Sequence, residues 1–80
     1  MPFTYVLKSL KDGRCYYGST ENLEVRLKAH NAGKVPSTKS RRPLVLLYKE
    51  EFGTKHDARL RELFFKSIDG YNWLKAKKII

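Results

Sequence analysis

The stretch FTYVLKSLKDGRCYYGST, residues 3–20, decides the fold of this chain. Its first part, Phe3 to Leu10, is rich in aromatic and β-branched residues and predicts a β-strand, and Arg14 to Gly18 predicts a partner strand. Asp12-Gly13 is a favoured sequence for a two-residue type I′ turn. The stretch therefore predicts an antiparallel hairpin in which paired residue numbers sum to 25, so that Tyr5 lies opposite residue 20.

This hairpin predicts that two tyrosine hydroxyls converge. Side chains alternate between the two faces of a strand, and the expected register places Tyr5 on the same face as Tyr16 and Gly18. Tyr17 then points to the other face. A bulge at Leu10 would reverse this parity, and the sequence does not exclude one. In the absence of such a bulge, the two hydroxyls lie on one side of the sheet.

A helix and a third strand are predicted after the hairpin. Polar residues 19–22, the apolar pair Leu23 and Leu27, and a stop at Gly33 predict a first helix. Further on, Pro43 to Phe52 contains five consecutive apolar residues, which is typical of a strand covered on both faces. The sequence thus predicts a sheet sandwiched between helices.

Two further helices complete the expected order of elements. Thr54 and Asp57 form a variant of the capping box and predict the start of the second helix, which Asp69-Gly70 should end. Tyr71 to Ile80 predicts a third, short helix. The order β-β-α-β-α-α predicts an α+β fold with a three-stranded antiparallel sheet flanked by helices. A chain of 80 residues has material for one hydrophobic core, so we expect residues 1–80 to form a single domain.

The charge of the chain predicts a polyanionic partner. The formal net charge is +9, and no Asp or Glu occurs between Val25 and Lys49, so the cations form a block rather than alternating ion pairs. The segment Gly33 to Arg42 reads as an exposed, mobile loop. We expect its cations to bind the phosphate backbone of DNA: Lys34, Lys39, Arg41 and Arg42. The alternative is that the cations are only solvated and keep the protein soluble.

Other totals predict a cytoplasmic protein that does not enter a membrane. No run of about 18 apolar residues is present, and the first residues lack the features of a secretory signal. The lone Cys15 cannot form an internal disulfide bond, which fits a reducing compartment. We therefore assign Cys15 no function and expect it to be a small, buried apolar residue.

The longer phrase FTYVLKSLKDGRCYYGSTENLEVRLKAHNAGK, followed by STKSRRPLVLLYKEEF and ARLRE, resembles the GIY-YIG nuclease family, in particular its small single-domain bacterial members. Phe3-Thr4-Tyr5 falls at the first tripeptide of the family and Tyr16-Tyr17-Gly18 at the second. The resemblance covers nearly the whole chain. It implies a GIY-YIG-like fold and a metal-dependent DNA endonuclease that hydrolyses a phosphodiester bond. Ser19 departs from the pattern, because excision-repair members carry a lysine there.

The resemblance also implies roles for five residues. Tyr5 and Tyr16 would bracket the scissile phosphate, with either hydroxyl activating the water, and Arg26 and His30, which are four residues apart on one helix face, would stabilise charge. Glu62 would hold Mg²⁺ or Mn²⁺, since a single carboxylate suffices for a metal that keeps several waters.

Each of these residues also has an ordinary structural interpretation. Tyr5 and Tyr16 could be buried strand rings, Arg26 could bond Asn22, and His30 could be a partly buried helix residue. Glu62 could form a surface ion pair with Arg59 or Arg61. A catalytically inactive nucleic-acid-binding module of the same fold is the alternative function, and a basic RNA-associated protein is the third.

Overall fold

A computed structural model describes all 80 residues, and its central element is strand β1 (Phe3–Ser9). Strands β2 (Cys15–Thr20) and β3 (Leu44–Glu51) flank β1 and both run antiparallel to it. Val6 and Leu7 of β1 are fully buried, because the middle strand of the sheet is covered on both faces. The order β-β-α-β-α-α and the three-stranded antiparallel sheet confirm the predicted fold.

Helices cover both faces of this sheet. Tyr5 and Leu7 pack with Leu23 of α1 (Leu23–Asn31). Val6, on the other face, packs with Phe65 and Leu74, which belong to α2 (Lys55–Phe65) and α3 (Ile68–Ala76), respectively. The alternation of β1 side chains therefore separates an α1 layer from an α2/α3 layer. None of the helices has the length and apolar character needed to cross a membrane. The cytoplasmic location and the single domain over residues 1–80 stay predictions.

The turn of the hairpin differs from the expected type I′ turn. Tyr5 pairs with Gly18 rather than with residue 20, and the loop spans residues 10–13, closed by a bond from Ser9 N–H to the Arg14 carbonyl. Ser9 Oγ accepts the N–H groups of residues 11 and 12, and this local bonding favours the longer loop. Because the register moved by two residues, every side chain keeps its predicted face. Tyr5 and Tyr16 share one face as predicted.

Strand β3 is not covered on both sides, so that prediction is wrong. Its exposed apolar side chains are Val45, Leu46 and Leu47. The reason is the strand order, which places β3 at an edge of the sheet while β1 takes the centre. A bulge opposite Val6 and Leu7 also leaves Leu47 without a direct partner on β1.

Gly70 does not end a helix, although Asp69-Gly70 predicts a stop. The second helix ends at Phe65, and Gly70 lies buried inside α3. A Cβ atom on Gly70 would lie 1.8 Å from the Phe64 carbonyl oxygen. The glycine is therefore needed for the close approach of α3 to the end of α2, and the last helix begins at Ile68 rather than at Tyr71.

Candidate active site

Tyr5 lies at the centre of the candidate site. Its ring is buried, and its hydroxyl lies 2.9 Å from Nε2 of His30. The ring crosses the neighbouring strand at Gly18, where a Cβ atom would lie 2.4 Å from the hydroxyl oxygen. A glycine at this position of β2 therefore makes room for the Tyr5 hydroxyl.

His30 links Tyr5 to the basic loop, the cation-rich segment of residues 33–42. The imidazole is fully buried, and its Nδ1 lies 2.7 Å from Thr38 Oγ1. The Thr38 hydroxyl faces the Val35 carbonyl at 3.5 Å, and a hydroxyl that donates there must accept from His30. We infer that Nδ1–H donates to Thr38, so that Nε2 accepts from the Tyr5 hydroxyl. Burial, and then the charge of Arg26, lowers the pKa of His30 to about 4, which keeps the ring neutral.

Arg26 lies against both tyrosines. A hydrogen bond with the Tyr5 hydroxyl is the main reason why the pKa of Arg26 lies above its ordinary value, and Tyr16 adds to it. Burial raises the pKa of Tyr5, while the bond with Arg26 opposes that rise. Asn22 does not hold the guanidinium; its side chain instead caps α1 by accepting the Val25 N–H.

Tyr16 completes this part of the site. Its ring centroid lies 6.5 Å from that of Tyr5 and 5.1 Å from that of His30. Unlike Tyr5, Tyr16 is only half-buried. Of the two tyrosines that the sequence predicts to converge, Tyr16 is the one that solvent can reach.

Glu62 is a buried carboxylate held by three donors. Glu62 is only 5% exposed. Its Oε1 accepts a hydrogen bond from Ser19 Oγ at 2.7 Å, and its Oε2 accepts from Arg59 and Lys66, both at 2.6 Å. Burial raises the pKa of the carboxyl, but the bonds from Lys66, Ser19 and Arg59 together outweigh burial, and the pKa lies below its ordinary value. Arg61, the other arginine near it in sequence, pairs with Glu50 instead.

Glu62 approaches the tyrosines from the other layer of the fold. Ser19 is opposite Thr4, whose hydroxyl bonds the Ala58 carbonyl of α2, so Ser19 and Glu62 belong to the α2 face. Gly18, the preceding residue of β2, lies on the face of Tyr5. The tyrosines therefore lie on the α1 side and Glu62 on the α2 side of the edge strand β2. The charge of Glu62 nevertheless contributes to the raised pKa of Tyr5, so the two groups interact electrostatically around β2.

Glu62 also decides whether a divalent metal fits. No group of three or more His, Cys, Asp or Glu side chains forms a ready ligand set, so a metal held by Glu62 would take most of its ligands from elsewhere. A hard cation such as Mg²⁺ accepts a single protein carboxylate together with waters and phosphate oxygens. Arg59 and Lys66 occupy Oε2, but their side chains are 57% and 46% exposed, which allows both to turn into solvent. Glu62 fits a metal once these two cations release it.

The basic loop is anchored rather than free, in contrast to the expected mobile loop. Besides the bond of Thr38 to His30, Arg41 Nε donates to Asp12 Oδ2 at 2.9 Å, and the Arg41 carbonyl accepts from Ser9. The bond from Arg41 lowers the pKa of Asp12 to about 2. Arg41 is therefore largely committed to the hairpin turn. The other predicted phosphate ligands are exposed: Lys34, Lys39 and Arg42.

Four contributors to the site escaped the sequence prediction. Gly18 and Ser19 follow directly from the hairpin once α2 is placed beside β2, and Lys66 is four residues from Glu62, a spacing that favours ion pairing on a helix. Thr38 carries no such signal, because its contact with His30 depends on how the loop folds back.

Comparison with known proteins identifies the family of this chain. The model of the GIY-YIG catalytic domain matches residues 1–73. A UPF0213 protein of Staphylococcus haemolyticus is 43% identical over 91% of this chain and 89% of its own length, and the UPF0213 protein YazA of Bacillus subtilis is 45% identical over 82% and 67%. The solution NMR structure of a UPF0213 protein from Bacillus halodurans has a TM-score of 0.57 and 32% identity, covering 98% of this chain and 86% of that one.

The family match has consequences for activity. It implies nuclease-type activity on a nucleic acid substrate, and nucleases of this family generally use a divalent metal. Because the family model covers residues 1–73 of the 80, the chain belongs to the GIY-YIG family and is similar to the small bacterial UPF0213 proteins.

Proposed function

We propose that this protein is a metal-dependent DNA endonuclease that hydrolyses a phosphodiester bond at the site formed by Tyr5, Tyr16, Arg26, His30 and Glu62. The observation that carries the proposal is the cluster in which the Tyr5 hydroxyl bonds the neutral His30 and the charge of Arg26 acts on both Tyr5 and Tyr16. Such a cluster is more than packing, because it brings a fixed cation and two hydroxyls to one place in a nuclease fold.

The two tyrosines have different roles in this proposal. Tyr16 is half-buried, so its hydroxyl contacts the attacking water and relays the proton: it takes the proton of the water while its own hydroxyl proton passes to a non-bridging phosphate oxygen of the substrate. Tyr5 is 1% exposed, so it acts through its neighbours: its hydroxyl donates to His30 and holds Arg26 in place. Tyr5 and His30 are thus positioning residues rather than groups that touch the substrate.

Arg26 carries the electrostatic part of the mechanism. A guanidinium stays charged at any pH of interest and presents several donors to phosphate oxygens. The negative charge that develops on the phosphoryl group during attack by water is stabilised by a fixed cation of this kind. The two tyrosines beside Arg26 favour its charged form, so the cation is present at the site before the substrate arrives.

Glu62 is the residue that would hold Mg²⁺ or Mn²⁺. When bound, the metal supplies Lewis-acid polarisation of a phosphoryl oxygen. Ser19 fixes Oε1 of the carboxylate, and Arg59 and Lys66 keep its charge compensated until they turn away. The exposed cations Lys34, Lys39 and Arg42 would bind DNA phosphates without reading base sequence.

A catalytically inactive nucleic-acid-binding module is the second candidate, and one observation favours it. The contacts of Glu62 with Arg59 and Lys66 compensate the charge of the buried carboxylate, so this ion cluster needs no metal for its stability. In that case, Glu62 only joins α2 to Ser19 of β2, and the tyrosines only pack.

Cleavage assays on variants of the two tyrosines test the proposal. Purified protein is incubated with duplex, nicked, branched and single-stranded DNA in Mg²⁺, in Mn²⁺ and in chelator. We expect metal-dependent cleavage of at least one form, a loss of about a hundredfold or more in Tyr16→Phe, and a smaller loss in Tyr5→Phe. The control is Tyr48→Phe, whose hydroxyl bonds Glu50 away from the site. Absence of cleavage in every condition overturns the proposal in favour of the binding module.

A further inference from the structure

A second cleft lies on the face of the sheet opposite the two active-site tyrosines. It has a volume of about 450 Å³ and is lined by residues of the hairpin, of β3, of α3 and of the segment after α3. Its apolar wall includes Leu47, Ile79 and Ile80, and its polar and aromatic lining residues include Lys8, Arg14, Tyr17, Tyr71 and Lys75. Lys8 and Tyr17 alternate with Leu7 and Tyr16 along their strands, so they face the α2/α3 layer. The back cleft, as we call this site, therefore shares no lining residue with the candidate active site.

The back cleft is positively charged. Lys8 comes from β1, Arg14 from the end of the hairpin loop and Lys75 from α3, and no Asp or Glu lines the cleft. Burial raises the pKa of the Cys15 thiol at the cleft wall, and the charges of Lys8 and Lys75 both oppose that rise. Cations from separate elements thus converge on one point, which favours an anionic ligand.

The back cleft also presents aromatic rings. Tyr71 is 48% exposed and takes no part in either core cluster. Lys75 Nζ lies 5.7 Å from the centroid of its ring, which holds a cation beside an accessible π-face. Tyr17, which is half-buried, lines the same cleft. Two tyrosines therefore line the same cleft as the three cations.

We propose that the back cleft binds a short single-stranded segment of nucleic acid, with an unpaired base stacked on Tyr71 and the adjoining phosphates bound by Lys8, Arg14 and Lys75. Aromatic rings interleaved with cations are how proteins hold single strands without reading their sequence. A base inside a duplex is already stacked and paired, so it cannot enter a cleft of this kind. A flat acidic protein surface would use the cations but leave the ring without a partner.

Because of the position of the back cleft, binding there would also affect which DNA structures the protein prefers. Duplex DNA at the active site and an unpaired strand at the back cleft would contact opposite faces of the same small sheet. The protein would then prefer DNA that offers both, as nicked or branched molecules do when a strand end comes free. Binding at the back cleft does not require metal or an active catalytic site, so it stands even if the proposed cleavage fails.

Fluorescence anisotropy with a labelled oligo(dT) of about ten nucleotides tests the proposal. An excess of unlabelled blunt-ended duplex, annealed from two complementary strands and free of unpaired bases, occupies the basic loop, so that the signal reports the remaining site. We expect Tyr71→Ala to weaken oligo(dT) binding by about tenfold or more, Tyr71→Phe to retain it, and Lys75→Gln to weaken it by about fivefold. Lys77→Gln is the matched control, because it removes the same charge two residues away, at the end of α3, whereas Lys77 lies over Trp73 and outside the cleft.

Two results would overturn the proposal. The first is that Lys75→Gln and Lys77→Gln have equal effects and Tyr71→Ala has less than about a twofold effect, since binding then depends on net charge alone. The second is that labelled polyglutamate binds as tightly as oligo(dT) and loses as much affinity in Tyr71→Ala, since the cleft then binds an acidic protein. Thermal unfolding of each variant establishes that it remains folded.

Discussion

The buried, neutral His30 makes the stability of this protein depend on pH above the range where carboxyl groups titrate. The pKa of His30 falls from 6.5 to about 4 in the folded protein, whereas the unfolded chain keeps the ordinary value. Between these two values, the unfolded state binds one more proton than the folded state. The free energy of unfolding therefore decreases as the pH falls through this window, and the stabilisation is complete only above pH 6.5.

The size of the effect follows from the shift. At about 1.4 kcal/mol per pKa unit, the full change corresponds to about 3 kcal/mol, and the part between pH 8 and pH 5 is about 2 kcal/mol. Asp12 and Glu62 have lowered pKa values, and their stabilisation is lost below the ordinary carboxyl range, so it is retained down to pH 5. His30 is thus the buried group expected to dominate this interval.

Urea unfolding at pH 8, 7, 6 and 5, followed by Trp73 fluorescence, measures the effect. The perturbation is His30→Gln, which removes the titrating ring while keeping a polar side chain next to Tyr5. We expect the free energy of unfolding of the wild type to fall by about 2 kcal/mol between pH 8 and pH 5, and that of the variant to be nearly flat. The substitution His56→Gln, at an exposed position on α2, controls for losing a histidine.

Equal pH dependence in the wild type and His30→Gln would refute this reasoning. His30 would then have the same pKa in the folded protein as in the unfolded chain, so folding would not favour the neutral ring whose Nε2 accepts the Tyr5 hydroxyl proton in a hydrogen bond. The roles given to Tyr5 and His30 as positioning residues would fail with it.

Two further predictions concern the cations of the site. Lys66→Met removes one of the two cations on Oε2 of Glu62. We expect it to tighten Mn²⁺ binding, measured by calorimetry, by about tenfold, or about 1.4 kcal/mol. An unchanged affinity would show that Lys66 does not compete with metal. Neutralising the exposed loop cations should flatten the log–log salt dependence of DNA binding by about 2 to 3, and an unchanged slope would place the loop away from DNA. Arg41→Gln, which loses the Asp12 contact, should mainly lower the stability of the fold. The loop variant changes Lys34, Lys39 and Arg42.

The half of the site on the α1 layer could be predicted because it depends on short-range periodicity. Tyr5 and Tyr16 share a face in any register that differs from the predicted one by two residues, so the wrong turn type did not change the face predicted for either ring. Arg26 and His30 share a helix face because they are four residues apart. These relations require only that the strands and the helix are identified correctly. The resemblance to the GIY-YIG family then implied catalytic roles for the residues concerned.

The remaining parts depend on how elements pack, which a single sequence does not show. Glu62 meets Ser19 across 43 positions of the chain, so its layer could not be inferred from spacing. The apolar run that begins at Leu44 looked like a buried strand, but whether a strand is central or at an edge is a property of the whole sheet. The role of Gly70 was predicted wrongly because the sequence does not distinguish a glycine that ends a helix from a glycine that lets two helices approach closely.

Glu62→Gln tests the central claim most directly, when cleavage and binding of the same DNA are measured in the same Mg²⁺ buffer. The change keeps size and helix propensity but removes the charge that would hold the metal. The control is Glu24→Gln on α1, an exposed glutamate paired with Lys28. We predict that the Glu62 variant binds DNA at least as tightly as the wild type and cleaves it about a hundredfold more slowly or worse. A Glu62→Gln protein that remains folded and cleaves as fast as the wild type would contradict the account.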